Sequence, residues 1–158
     1  FENGRTCDWI SELAGTEPDP TAGDAIWPVV NGPDGGWGMT SNSRMEKSRL
    51  GIGTSKIDDP VYRGGNHKSL AFMLKSGSPA KLTVILKRNF WQTGQTEFRY
   101  EVVVPSIEGW SRITVSPGDF KDDKGNPLDN WEKLNRLSFI GEFPPDKPMA
   151  IGKVEWSD

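Results

Sequence analysis

Apolar and polar residues alternate with a period of two through much of the second half of the chain. Between Lys81 and Asn89, Leu82, Val84 and Leu86 fall on one face, and Lys81, Thr83, Ile85, Lys87 and Asn89 on the other. This pattern predicts a strand with one face on a core. The run Lys68 to Lys75 predicts another, closed by Ser76-Gly77-Ser78-Pro79. Gln92 to Gln95 reads as a turn. The strand after it, Phe98 to Val104, stops at Pro105 because proline cannot donate to a sheet ladder. Gly109 to Val115, Arg136 to Gly141 and Ala150 to Trp156 complete the set. Between them, Asp122 to Pro127 reads as a polar loop, Asn130 to Leu134 as one short helical turn, and Pro144 to Pro148 as an irregular linker.

The first sixty residues carry a weaker pattern. They predict a short strand near Phe1, then long loops bearing Trp27 and Trp37 among prolines and glycines. Gly51-Ile52-Gly53 has strand character until Asp58-Asp59-Pro60 interrupts it. Strands at roughly ten-residue spacing with little helix predict an all-β fold, a sandwich or jelly roll of two antiparallel sheets. Nothing marks an internal boundary, so residues 1–158 read as one domain.

Composition narrows the function. A net charge of −3 without a basic stripe argues against a nucleic-acid partner. No apolar run approaches the ~20 residues that span a bilayer, which argues against a membrane one. The opening at Phe1, without a Met, suggests a module of a longer protein. Cys7 is the only cysteine and His67 the only histidine. Zinc sites and thiol catalysis therefore have almost no material, and Cys7 reads as a buried small residue.

Several segments carry a resemblance. Phe1-Glu2-Asn3-Gly4, Gly65 to Leu70, and above all Gly109-Trp110-Ser111-Arg112-Ile113-Thr114-Val115 followed by Gly118-Asp119-Phe120 resemble jelly-roll carbohydrate-binding modules. Gly125 to Trp131 and Leu137-Ser138-Phe139 are similar to the loop and strand that follow in such modules. The resemblance implies a jelly-roll β-sandwich, a polysaccharide or oligosaccharide ligand and an extracellular, monomeric module appended to a polysaccharide-degrading enzyme. Many such modules hold one structural calcium through an acid of the first strand and aspartates of the last. Here the last strand lacks those aspartates, and Glu2, Glu155 and Asp158 are the acids left to contribute.

Sugar recognition combines exposed rings, which meet the C–H face of a pyranose, with side chains that pair its hydroxyls. Lys87, Arg88, Asn89, Trp91 and Gln92 offer this mixture at a strand end, facing Arg99 and Tyr100 on the expected hairpin partner. The competing reading is a solvated outer face with Trp91 capping the core. Trp27, Trp37 and Tyr62 are further candidate ring contacts on loops. Trp110, Trp131 and Trp156 read as core. Tyr62 to His67 and Ser43 to Arg49 also suit a small jelly-roll polysaccharide lyase, though a solvated loop and a charged edge strand explain them too. A protein-interaction sandwich with no sugar site is the third class.

The basic residues Lys81, Lys87, Arg88 and Arg99 leave anionic uronans open as ligands beside neutral β-glucan or hemicellulose.

Overall fold

The computed structural model of the protein describes residues 10–11, 29–33, 37–40 and 49–158. Their strands are β1 (Ile10–Ser11), β2 (Val29–Asn31), β3 (Trp37–Thr40), β4 (Arg49–Thr54), β5 (Ser69–Ser76), β6 (Ala80–Arg88), β7 (Thr96–Val104), β8 (Ile107–Val115), β9 (Leu134–Glu142) and β10 (Met149–Ser157). One sheet runs β1-β4-β9-β6-β7 and the other β2-β3-β10-β5-β8, with every pairing antiparallel. This is the jelly-roll sandwich that the alternation predicts. Phe1, Glu2, Cys7, Trp27 and the segment 43–48 lie outside the described residues.

Period-two patterning decides which side chains meet. Leu82, Val84 and Leu86 of β6 turn inward with Leu137 and Phe139 of β9 and Leu50 and Ile52 of β4. Leu70, Phe72 and Leu74 of β5 and Ile151 of β10 come from the opposite sheet, and Phe72 meets Phe139 edge-on at 5.0 Å. The two sheets pinch together at Gly141, where a Cβ would lie 2.7 Å from Met149 Sδ. At one end an aromatic series closes the sandwich. Tyr100 packs on Phe120, Phe120 on Trp131, and Trp131 on Trp156. Both indoles are satisfied, because Trp131 Nε1 donates to His67 O (2.9 Å) and Trp156 Nε1 to Tyr62 O (2.6 Å). These two bonds tie the 55–67 loop to the core.

Four local expectations change. Trp37 opens β3 instead of lying on a loop, because its backbone pairs with Asn31 and the next residue, Gly38, with Gly152. Residues 131–133 form a turn and no helical turn. Lys133 takes φ 60°, which reverses the chain, and Asn130 Oδ1 holds Glu132 N at 2.9 Å. Arg49 belongs to no edge strand, since β4 is flanked by β1 and β9. Trp131 and Trp156 join the core as expected, but Trp110 does not. It alternates with Ser111, which lies opposite inward-facing Leu74, so the half-buried ring points the other way.

Candidate functional site

The β6–β7 hairpin carries the side chains of interest, and its backbone is unusual. Asn89 (φ 54°), Trp91 (φ 64°) and Gly94 (φ 79°) all adopt left-handed conformations within six residues. Glycine does this freely, and asparagine with modest penalty, but a tryptophan there costs about 1–2 kcal/mol. The loop is closed by Gln92 N donating to Asn89 O (2.9 Å) and Asn89 Nδ2 donating to Gly94 O (3.3 Å). Phe90 is pinned between them. Its N–H donates to Asn135 Oδ1 (2.9 Å), and its ring lies between Lys87 Nζ (5.0 Å) and Arg136 Cζ (5.1 Å).

This clamp leaves Trp91 no route inward. Its ring leans on Phe90 at 4.7 Å and is 87% exposed, which settles the core-capping reading against it. The same loop borders a depression of about 480 Å³ lined by Asn89, Gln92, Asn135, Glu132, Asp58 and Arg63, among others. Asn89 and Gln92 flank Trp91 in sequence, so the loop that exposes the indole also borders a polar hollow. Trp131 forms part of the lining, and the 55–67 loop supplies Asp58 and Arg63.

The other expected contacts are divided. Arg88 acts as a strut. Its Nε donates to Glu132 O (3.0 Å), and Nη2 donates to Asp129 Oδ1 (2.7 Å), Asn130 O (3.0 Å) and Asn130 Oδ1 (3.1 Å). The hydrogen bond from Arg88 holds the Asp129 carboxyl below the usual range. Lys87 and Arg99 do share a face, but both grip Glu97, at 3.3 and 2.6 Å. Burial pushes the Glu97 carboxyl up, and the hydrogen bonds and charges of Arg99 and Lys87 outweigh it, so the net displacement is downward. The register sets Arg99 opposite Ile85, away from Asn89.

Tyr100 turns toward the core edge against Phe120. Burial, and then the nearby Asp119 charge, raise its phenol. Tyr62 closes a short 3-10 turn with Lys56 Nζ 4.7 Å over its ring. It does not line the hollow, and His67 Nδ1 sits 2.8 Å from Asp158 Oδ1. Trp27 lies outside the described residues, and of Trp37 only the backbone is described. Glu155 pairs with Arg112, whose Nη2 also donates to Ser157 Oγ (3.2 Å). Glu155 thus serves an ion pair and Asp158 a hydrogen bond within the protein, and Glu2 lies outside the described residues. Among the described residues no group of three or more His, Cys, Asp and Glu stands close enough to hold a metal.

Arg63 belongs to the segment read as suiting a lyase, whereas sequence reasoning missed Asn135, Glu132 and Asp58. They reach the hollow from segments well removed from the hairpin in sequence, and no local pattern marks them.

No family model and no curated protein sequence matches the chain. Solved structures do. The chain is similar to the family 11 carbohydrate-binding module from Clostridium thermocellum in complex with a β-1,3-1,4-mixed-linked tetrasaccharide. Identity there is 13% and TM-score 0.55, over 82% of this chain and 80% of that one. It is similar to the family 11 module of the cellulosomal cellulase Lic26A-Cel5E of the same organism, at 14% identity and TM-score 0.54, over 82% and 79%. A third match is PfGH50B, at 14% identity and TM-score 0.51. It covers 94% of this chain and 22% of that one. The fold is therefore that of jelly-roll carbohydrate-binding modules.

Proposed function

We propose that this chain is a noncatalytic carbohydrate-binding module that holds a neutral polysaccharide against the β6–β7 hairpin. One observation carries the reading: an indole held 87% exposed by a strained backbone, on the loop that borders a polar hollow. The flat ring takes the C–H face of a pyranose, while amides and carboxylates in the hollow pair its hydroxyls. The fold it shares with the family 11 modules agrees with this use.

Charge favours a neutral ligand over a uronan. Lys87 and Arg99 are matched by Glu97, Arg88 by Asp129, and Arg63 by Asp58 at 3.6 Å. Those cations already have partners, so a uronate would have to displace a carboxylate to reach them. Attachment to a polysaccharide-degrading enzyme, an extracellular setting and a monomeric state belong to the same reading. Binding then raises the catalytic domain's effective concentration at its substrate. A calcium drawn on Glu2, Glu155 and Asp158 also belongs to it, and a melting temperature unmoved by chelation removes that element.

Affinity electrophoresis tests the core of the proposal. Gels carrying mixed-linkage β-glucan, xylan or polygalacturonate are compared at low and high salt. Retardation on a neutral glycan, insensitive to salt and lost in Trp91→Ala, is expected. Retardation on polygalacturonate alone, fading with salt, overturns the neutral-ligand reading. Ultraviolet-absorbing unsaturated products would show a lyase instead.

A further inference from the structure

The hairpin borders a second hollow. A groove of about 940 Å³ runs along β7, and Gln95, Thr96, Tyr100, Glu101 and Asp123 contribute to its lining. Its outer wall is built in. Beyond the edge of β7, the backbone of Lys121 adds to the sheet, with Arg99 N donating to Lys121 O (2.8 Å) and Lys121 N to Arg99 O (2.9 Å).

The turn beside that wall is fixed as well. Asp122 Oδ1 accepts from Lys124 N (2.9 Å) and Asn126 N (2.8 Å), and Asp119 Oδ2 accepts from Ser116 N (2.7 Å). Within this ordered frame, Gln95, Thr96, Glu101 and Asp123 make no side-chain hydrogen bond among the described residues, so their donors and acceptors face solvent. An amide, a hydroxyl and two carboxylates together match a ligand that both donates and accepts, as sugar hydroxyls do. The ring of Tyr100 lies among them.

Position links this groove to the Trp91 site. Asn89 and Gln92 line the smaller hollow, and Gln95, on the other limb of the same loop, lines the groove. Only Thr93 and Gly94 separate Gln92 from Gln95, a span of at most about 11 Å, which a few pyranose rings cover. We infer that a single glycan chain crosses the hairpin, stacking on Trp91 and continuing into the β7 groove, so that the module reads several consecutive sugar units. This inference rests on the Trp91 reading.

Calorimetry with trisaccharide and hexasaccharide fragments of mixed-linkage β-glucan tests it. In the intact chain the hexasaccharide binds about tenfold tighter, the worth of one or two net hydrogen bonds, with one ligand per protein. Glu101→Ala/Asp123→Ala, both at exposed positions, lowers hexasaccharide affinity to the trisaccharide level and leaves the trisaccharide unchanged. Trp91→Ala weakens both. Equal hexasaccharide binding by the double variant and the intact chain overturns the crossing, as does binding of two trisaccharides per protein. Trisaccharide binding that survives Trp91→Ala overturns the Trp91 reading itself, whatever the groove variant does.

Discussion

Replacing Trp91 with alanine separates binding from stability. An aromatic side chain of this size buries about 150–250 Å² when fully covered. Trp91 is 87% exposed, so nearly all of that area is available to a ligand. A sugar stacked on one face covers something under half of it, about 80 Å². At ~25 cal/mol per Å² that is about 2 kcal/mol, and 1.4 kcal/mol is tenfold in affinity, so Kd rises about 30-fold.

The folded state should hardly notice. The ring contacts Phe90 but contributes to no core cluster, and exposed substitutions usually stay within about 0.5 kcal/mol. Trp91→Gly sharpens the contrast. It relieves the left-handed strain of about 1–2 kcal/mol, set against about 0.4–1 kcal/mol of extra unfolded-chain entropy. The glycine variant therefore melts at or slightly above the parent and still loses the ligand. Isothermal calorimetry on a β-glucan oligosaccharide, paired with thermal melts, reads both quantities. A Kd within threefold of the parent in both variants would refute the stacking argument. A melting drop of ten degrees would show instead that the indole is structural.

Arg88→Met should cost about 2 kcal/mol, since the guanidinium holds the 129–132 turn through four hydrogen bonds. For a domain of this size that lowers the melting temperature by roughly 4–8 °C. If Arg88 is a sugar contact and no strut, affinity falls while the melt stays put. Gly64→Ala should cost about 1–3 kcal/mol by overpacking, because its Cβ would stand 2.6 Å from Trp131 Cβ; a melt equal to the parent's contradicts that. Glu97 and Asp129 have depressed folded-state values. Their contribution is complete above the unfolded carboxyl values near pH 4 and is lost as pH falls through the folded ones. Denaturant midpoints should therefore decline below about pH 4, and less steeply in Glu97→Gln; identical slopes for the two proteins count against the Lys87–Glu97–Arg99 cluster.

How much of this was legible in the sequence depends on how local each cause is. β6 reads directly, because Leu82, Val84 and Leu86 repeat every second residue and a sheet turns that period into a face. Trp37 does not. It sits among glycines that suggest a loop, yet its strand exists because the backbone of β10 and β2 lies alongside. Trp110 falls inside β8 rather than at its start, and β8 is an edge strand among the described residues with an irregular register after Leu74, so the indole turns away from the core. Arg88 has the composition of a sugar contact. Its partners stand some forty residues later, so only folding reveals the strut. Trp91 is the instructive case. Its neighbours Asn89 and Gly94 hint at left-handed turns, while tryptophan itself gives no such hint, and exposure follows from the backbone.

That backbone also explains why one indole could suffice for a useful interaction. A flexible aromatic loses about 0.5–1.5 kcal/mol of side-chain freedom when a ligand fixes it. Here the backbone that carries the ring is already ordered on folding. Phe90 is fixed by the Asn135 amide oxygen and by two cations over its ring, the loop is closed by Asn89, and Arg88 braces the neighbouring turn. The strain at Trp91 is offset by these contacts, and the loop meets its ligand with little further backbone ordering. Removing the brace should thus weaken binding without touching a sugar. Asn135→Ala deletes the acceptor for Phe90 N, and its effect on affinity should exceed its effect on the melt. Because Asn135 also lines the hollow, Asn135→Asp is the control: it keeps that acceptor and restores the affinity. If both variants bind equally poorly, Asn135 is a direct hydroxyl contact through its amide N–H₂, and the hairpin's preorganisation is not what sets the affinity.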